Sequence, residues 1–157
     1  MGAPNENIWG QPMRTFPSLP IVLASGLLAA CSPSEPGVPM EFSKACAVEN
    51  DKKVVEMSGF LSASVTVFCS NRSGRMECAY KFTETPGAER SISADIEQGS
   101  GSNSAEKLKS GYRREDIKIR DNAGNLVNLA ERVRLTGKLS VSPDLRACFM
   151  KVTQIQR

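Results

Sequence analysis

In the segment VVEMSGFLSASVTVFC, residues 54–69, Val55, Met57, Gly59, Leu61, Ala63, Val65, Val67 and Cys69 fall on one side of a two-residue period. Glu56, Ser58, Ser62, Ser64 and Thr66 fall on the other, with Phe60 and Phe68 as exceptions. That period predicts one long β-strand with one face buried and one wet. Gly59 lies inside it and predicts a bulge or sharp bend, the device that curls a strand into a barrel.

The rest of the chain alternates in the same way. SNRSGR reads as a turn, and MECAYKFTE as the returning strand with Cys78, Tyr80 and Phe82 on one face. TPGAE turns into RSISADIEQ, whose Ile92, Ala94 and Ile96 face inward. GSGSN interrupts the sheet, and Asn103 is placed to cap a short helix SAEKLKS that stops at Gly111. DIKIRDNAGNLVNL is a hairpin pattern around an Asn- and Gly-rich turn. The Asp121 turn has no alternating acidic ligands and no terminal Glu, so it is not a calcium loop. RVRLTGKLSVS and ACFMKVTQI supply the last strands. VEMSGFLSAS and VRLTGKLSVS carry a glycine at the same phase, which predicts two strands meeting one geometric need.

The expected fold is mainly β: a small antiparallel barrel with one short helix, after a signal peptide and a flexible tether. The spacing Val-x-x-x-Gly-x-Leu followed by hairpin, helix and hairpin resembles an OB-fold over most of residues 53–156. The same strands also suit a β-sandwich or a barrel of another type.

The N-terminal region follows a different pattern. The apolar run at residues 21–30 is shorter than the roughly 20 residues a spanning helix needs. A positive charge (Arg14), a short apolar stretch and small residues before a cut are the parts of an export signal. Leu28-Ala29-Ala30-Cys31 resembles the bacterial lipobox. That resemblance implies a diacylglyceryl group on the Cys31 thiol, cleavage just before it, and acylation of the new amino group. With Ser32 rather than Asp next in line, it further implies transfer to the outer membrane, facing the periplasm. Met13 is the expected start of translation, or residues 1–12 are dispensable. The expected organisation is a signal peptide at 1–30, a lipidated cysteine with a Pro-rich tether at 31–45, and a barrel domain at 46–157.

Composition narrows the chemistry. The 157 residues contain no histidine, which removes the commonest general base and metal ligand, and the net charge is +3. A nucleic-acid binder normally carries a denser basic stripe, so no nucleic-acid partner is expected. Apart from Cys31 there are four cysteines, an even number that in an exported chain predicts disulfides. Three pairings are possible; Cys69 and Cys78 flank a turn, which favours Cys69–Cys78 together with Cys46–Cys148. No Cys-x-x-Cys occurs and the spacing is not that of a metal site, so no metal and no cofactor are expected.

Ser104 and Lys107 form a Ser-x-x-Lys at the expected helix start, but the Ser-Asp-Asn and Lys-Thr-Gly companions of that nucleophile motif are missing. Lys107, Lys109, Arg113 and Arg114 form a basic segment that can meet anionic groups, although Glu106, Glu115 and Asp116 dilute it. Tyr80 and Phe82 can be a stacking platform or core, and core is favoured. The expected function is therefore a non-enzymatic, lipid-anchored envelope protein that binds an envelope protein or an anionic envelope component. An inhibitor that blocks a hydrolase is the alternative, and a small hydrolase ranks behind both.

Overall fold

A computed structural model describes residues 35–72, 74–144 and 147–157 of this chain. The segment expected to be an export signal, with Met13 and Cys31, lies outside the described residues. In order, the elements are β1 (Val38–Pro39), α1 (Phe42–Ala45), β2 (Val54–Ser62), β3 (Phe68–Arg72), β4 (Arg75–Thr83) and β5 (Ile92–Glu97). There follow the small hairpin β6 (Ile119–Arg120) and β7 (Leu126–Val127), then β8 (Arg132–Ser142) and β9 (Ala147–Gln156). Among the described residues no helix is long and apolar enough to cross a membrane.

Seven strands form one sheet in the order β1-β2-β8-β9-β5-β4-β3, and a further pairing of β2 with β4 turns its middle into a five-stranded ring. The ring is mostly antiparallel. Its β5–β9 junction is parallel and only three residues deep, Ser93 to Asp95 against Phe149 to Lys151, and β1 also runs parallel to β2. The result is a small Greek-key barrel of the OB type, with apolar residues of the five ring strands inside and β1 and β3 exposed at its edges. Tyr80, Phe82, Met57, Leu61, Ile92, Leu135, Leu139 and Met150 are buried there. Tyr80 and Phe82 are thus core residues and not a stacking platform.

Two glycines let the strands close. β2 pairs with β8 from Val54 to Phe60 and with β4 from Phe60 to Ser62, so it changes partner at Phe60, directly after Gly59. A Cβ at Gly59 would collide with the Thr83 carbonyl oxygen and lie 2.9 Å from the Phe82 ring and 3.0 Å from the Phe42 ring. At Gly137 the register of β8 against β9 shifts, and a Cβ would collide with the Lys151 carbonyl and lie 2.7 Å from Met150 Cγ. The repeated glycine phase does reflect one need: backbone must approach backbone where a strand bends.

Three expectations change. The strand expected over 54–69 stops at Ser62, because Ser62 pairs with Lys81 while Phe68 pairs with Ala79. Six steps of chain cover two steps of β4, so residues 63–67 loop out and Val65 is fully exposed. The helix expected over 104–110 does not form. Asn103 sits at φ 54° with its side chain accepting the Ile155 amide at 2.8 Å, and Ala105 bridges Gln98 and Ile119 instead. With only Ala105 and Leu108 apolar, that segment has too narrow a stripe to bury as a helix. Among the described residues the one α-helix is α1, where a tether was expected. Phe42 packs on Phe82 with ring centroids 5.0 Å apart, and Ala45 is fully buried, so the folded domain starts before residue 46.

Gly59→Ala and Gly137→Ala should each destabilise the domain by about 2–4 kcal/mol, because backbone rather than a flexible side chain must yield. Gly101→Ala, at a site with open space around it, should stay within about 0.5 kcal/mol. Denaturant midpoints of the three variants check this.

Candidate functional site

The barrel's outer surface is most structured across β3, β4, β5 and β9. Register sets Phe68, Ala79, Asp95 and Lys151 in one cross-strand row, and Lys81, Ser93 and Phe149 in the next. Ala79 is small, so a groove of about 370 Å³ opens between Phe68 and Phe149, edged by Lys81, Ser64, Thr66 and Ser93. Phe68 begins β3 directly after the looped-out residues and is 76% exposed. Aromatic faces, hydroxyls and the Lys81 ammonium make a surface that can take an apolar or ring-shaped ligand with polar edges.

Beneath one end of the groove lies a network of ion pairs. The carboxylates of Glu77 and Asp95 are buried, although both stand on the outer face of their strands. Lys151 Nζ reaches Glu77 Oε1 at 2.5 Å, Arg72 reaches Asp95 Oδ2 at 3.5 Å, and Ser93 Oγ donates to Asp95 at 3.3 Å. Arg75 and Glu97 continue the network at 3.0 Å. Burial raises the Asp95 carboxyl above its usual range; Arg72 and the Ser93 hydroxyl oppose that rise, and Glu77 adds to it. The long cationic side chains lie across the carboxylates and hold this wall of the groove in place.

The basic segment does not converge on one site. Lys107 and Lys109 border a hollow of about 380 Å³ with Tyr112 and Lys118. Arg114 borders a different one of about 490 Å³ with Leu126 and Leu129. Arg113 is paired with Glu115 at 3.2 Å, and Arg120 with Glu106 at 2.6 Å. Ser104 stands at no helix start, and its hydroxyl donates to the Gly101 carbonyl at 2.6 Å. The setting that gives Ser-x-x-Lys its meaning is therefore missing. Asp121 organises its turn by accepting the Ala123 and Asn125 amides and pairing with Arg157 at 2.9 Å. Burial pushes its carboxyl up, but these donors outweigh that and hold it below the usual range.

Cys69 and Cys78 are directly opposite on β3 and β4, with Cα atoms 4.0 Å apart, and form a disulfide. Cys69 is exposed rather than inward-facing; only Cys78 reaches the core. Cys46 and Cys148 carry free thiols, so the expected second bridge is absent here, although the two residues are neighbours. Tyr112 hydrogen-bonds the Val67 amide and so ties the long connection to the looped-out residues. The buried Tyr80 hydroxyl lacks a partner, and burial together with Tyr112 pushes it up to about 12. Among the described residues no cluster of three His, Cys, Asp or Glu side chains is placed to hold a metal.

No known family, curated protein or solved structure matches the chain. Sequence reasoning missed Phe68, Phe149, Glu77 and Asp95 as surface features. A signal for the first was present, since Phe68 breaks the alternation on the polar side.

The two carboxylates titrate with opposite consequences. Asp95, raised in the fold, weakens stability as pH climbs from its unfolded value of 3.8 through its folded value. Asp95→Asn should therefore be at least as stable as wild type at pH 7, with the gap closing toward pH 4. Asp121, depressed in the fold, contributes stability that is lost as pH falls below the usual value of 3.8. Asp121→Asn should be less stable than wild type at pH 7 and converge with it in acid. Urea melts across that pH range read both.

Proposed function

We propose that the protein is a lipid-anchored envelope protein whose barrel is a non-enzymatic binding module. The anchor is assigned to Cys31 on the strength of Leu28-Ala29-Ala30-Cys31 and the short apolar run before it. Two acyl chains suffice for stable membrane attachment, so three hold the N-terminus firmly. Ser32 supports the outer membrane facing the periplasm. The cross-strand Cys69–Cys78 bridge fits an oxidising compartment.

The single observation that carries the binding reading is the groove between Phe68 and Phe149. It leaves an aromatic side chain exposed on a rigid sheet, over a floor kept open by Ala79. Such anchors carry most of the energy of an interface. The ligand is an envelope protein or another envelope component, and Lys81 at the groove's edge supplies positive charge for an anionic one. A second reading, inhibition of an envelope hydrolase, is favoured by the exposed Val65 and Phe68 at the loop, a shape that can plug a cleft.

Cells fed labelled palmitate should label the protein, and Cys31→Ser should abolish labelling; an unlabelled wild type would remove the anchor. With the Cys31→Ser chain as bait in envelope extract, Phe68→Ala combined with Phe149→Ala should weaken partner retention by about tenfold or more. Arg113→Glu should have little effect, since that side chain is already paired. Retention of one hydrolase in equal amount to the bait would select the inhibitor reading. Retention unaffected by the double Phe variant would discard the groove.

A further inference from the structure

Cys46 ends α1 and is exposed, whereas Cys148 is the second residue of β9 and is buried. Both line one hollow of about 430 Å³, together with Ser43, Val48, Arg90 and Val141. The two residues are close neighbours across that hollow, and burial first, then Cys46, pushes the Cys148 thiol above its ordinary range. Of the two thiols, it is that of Cys46 which solvent reaches. Ser91, Ala147 and Cys148 also line the groove beside Phe149, so the thiol pair and the candidate binding surface share a wall.

We propose that Cys46 and Cys148 are a thiol–disulfide exchange site that accepts a disulfide donor, protein or small-molecule, and ends as a bridge between α1 and β9. Access sets the order of events. Cys46 loses its proton and attacks one sulfur of the donor; the donor's S–S bond breaks and its first thiolate leaves to take up a proton. Cys148 then loses its proton and attacks Cys46 Sγ, and the second donor thiolate departs and is protonated. The two protein thiols lose two electrons and two protons, and the donor becomes two thiols. Because Cys148 is buried and holds its proton tightly, it cannot meet the donor first, and closure is the slow step.

The bridge has a mechanical consequence. Residues 35–46 are held to the barrel by the two-residue β1 pairing and by Phe42 on Phe82. A covalent link from α1 to the start of β9 fixes that segment and stiffens the wall next to Phe149. The idea rests on the envelope reading for the supply of donor and on the groove reading for its consequence, but the covalent step stands apart from both.

The full-length Cys31→Ser chain, mildly reduced and then incubated with oxidised glutathione, provides the test by non-reducing peptide mapping. The expected product is a linked Cys46–Cys148 peptide pair and a protein lighter than the free-dithiol form by about 2 Da, with Cys69–Cys78 as internal reference. Cys148→Ala should stop at one glutathione on Cys46, and Cys46→Ser should leave Cys148 unmodified. Near-UV circular dichroism matching wild type qualifies each variant, and Cys46→Ser, at an exposed position, keeps the test open should Cys148→Ala misfold. A wild-type protein that ends with glutathione on Cys46, or with both thiols unreacted, would overturn the proposal. So would a Cys46→Ser variant whose Cys148 reacts as fast as the wild-type pair. None of these outcomes depends on partner retention.

Discussion

The approach of backbone to backbone at Gly59 is the constraint on which the rest of this structure depends. There β2 leaves β8 and takes up β4, and the space a side chain would need is filled by the Thr83 carbonyl and the Phe82 and Phe42 rings. Without that contact the strands form an open sheet, with two long edges and one face of its core residues wet. With it, five strands return on themselves and the same apolar positions become an interior. Gly137 does the corresponding service on the far side of β2, where a bulge lets β8 bend over β9.

The outer surface inherits its order from that closure. Phe68, Ala79 and Asp95 come from three consecutive strands and Lys151 from the distant β9, and the β5–β9 junction of the ring completes their row. The groove between Phe68 and Phe149, the buried carboxylates below it and the cations over those carboxylates are consequences of one alignment. The cations answering Glu77 and Asp95 come from β9 and β3, so the charges hold strands to one another. A ligand bound there would meet a wall that the ion pairs have already set in place.

Much of this was legible in the alternation. Cys78, Tyr80 and Phe82 face inward as their period predicts, and so do Ile92, Ala94, Ile96 and the alternate residues of β8. The matched glycines of β2 and β8 also announced their role. Residues 63–67 were misread because Ala63, Val65 and Val67 keep the period while the chain has left the sheet, and a period cannot report where pairing stops. The missing helix at 104–110 had capping residues but too narrow an apolar face, and tertiary bridging through Ala105 prevailed over local preference. Phe42 and Ala45 stand in a Pro-rich neighbourhood that reads as tether, yet two small contacts with the core suffice to fold it on. The groove was hidden because its floor is a small residue and its walls come from distant strands. The basic segment drew attention by density along the chain, and folding divided it between two hollows.

Hydrogen exchange on the native protein tests the closed ring most directly. The paired amides of β2 with β4 and of β5 with β9 should exchange as slowly as those of β8 with β9 and be released together in one global opening, while the amides of residues 64–66 exchange at once. Fast exchange at both closing junctions, with β8–β9 still protected, would mean that the sheet is open and that the row from Phe68 to Lys151 is not a fixed surface.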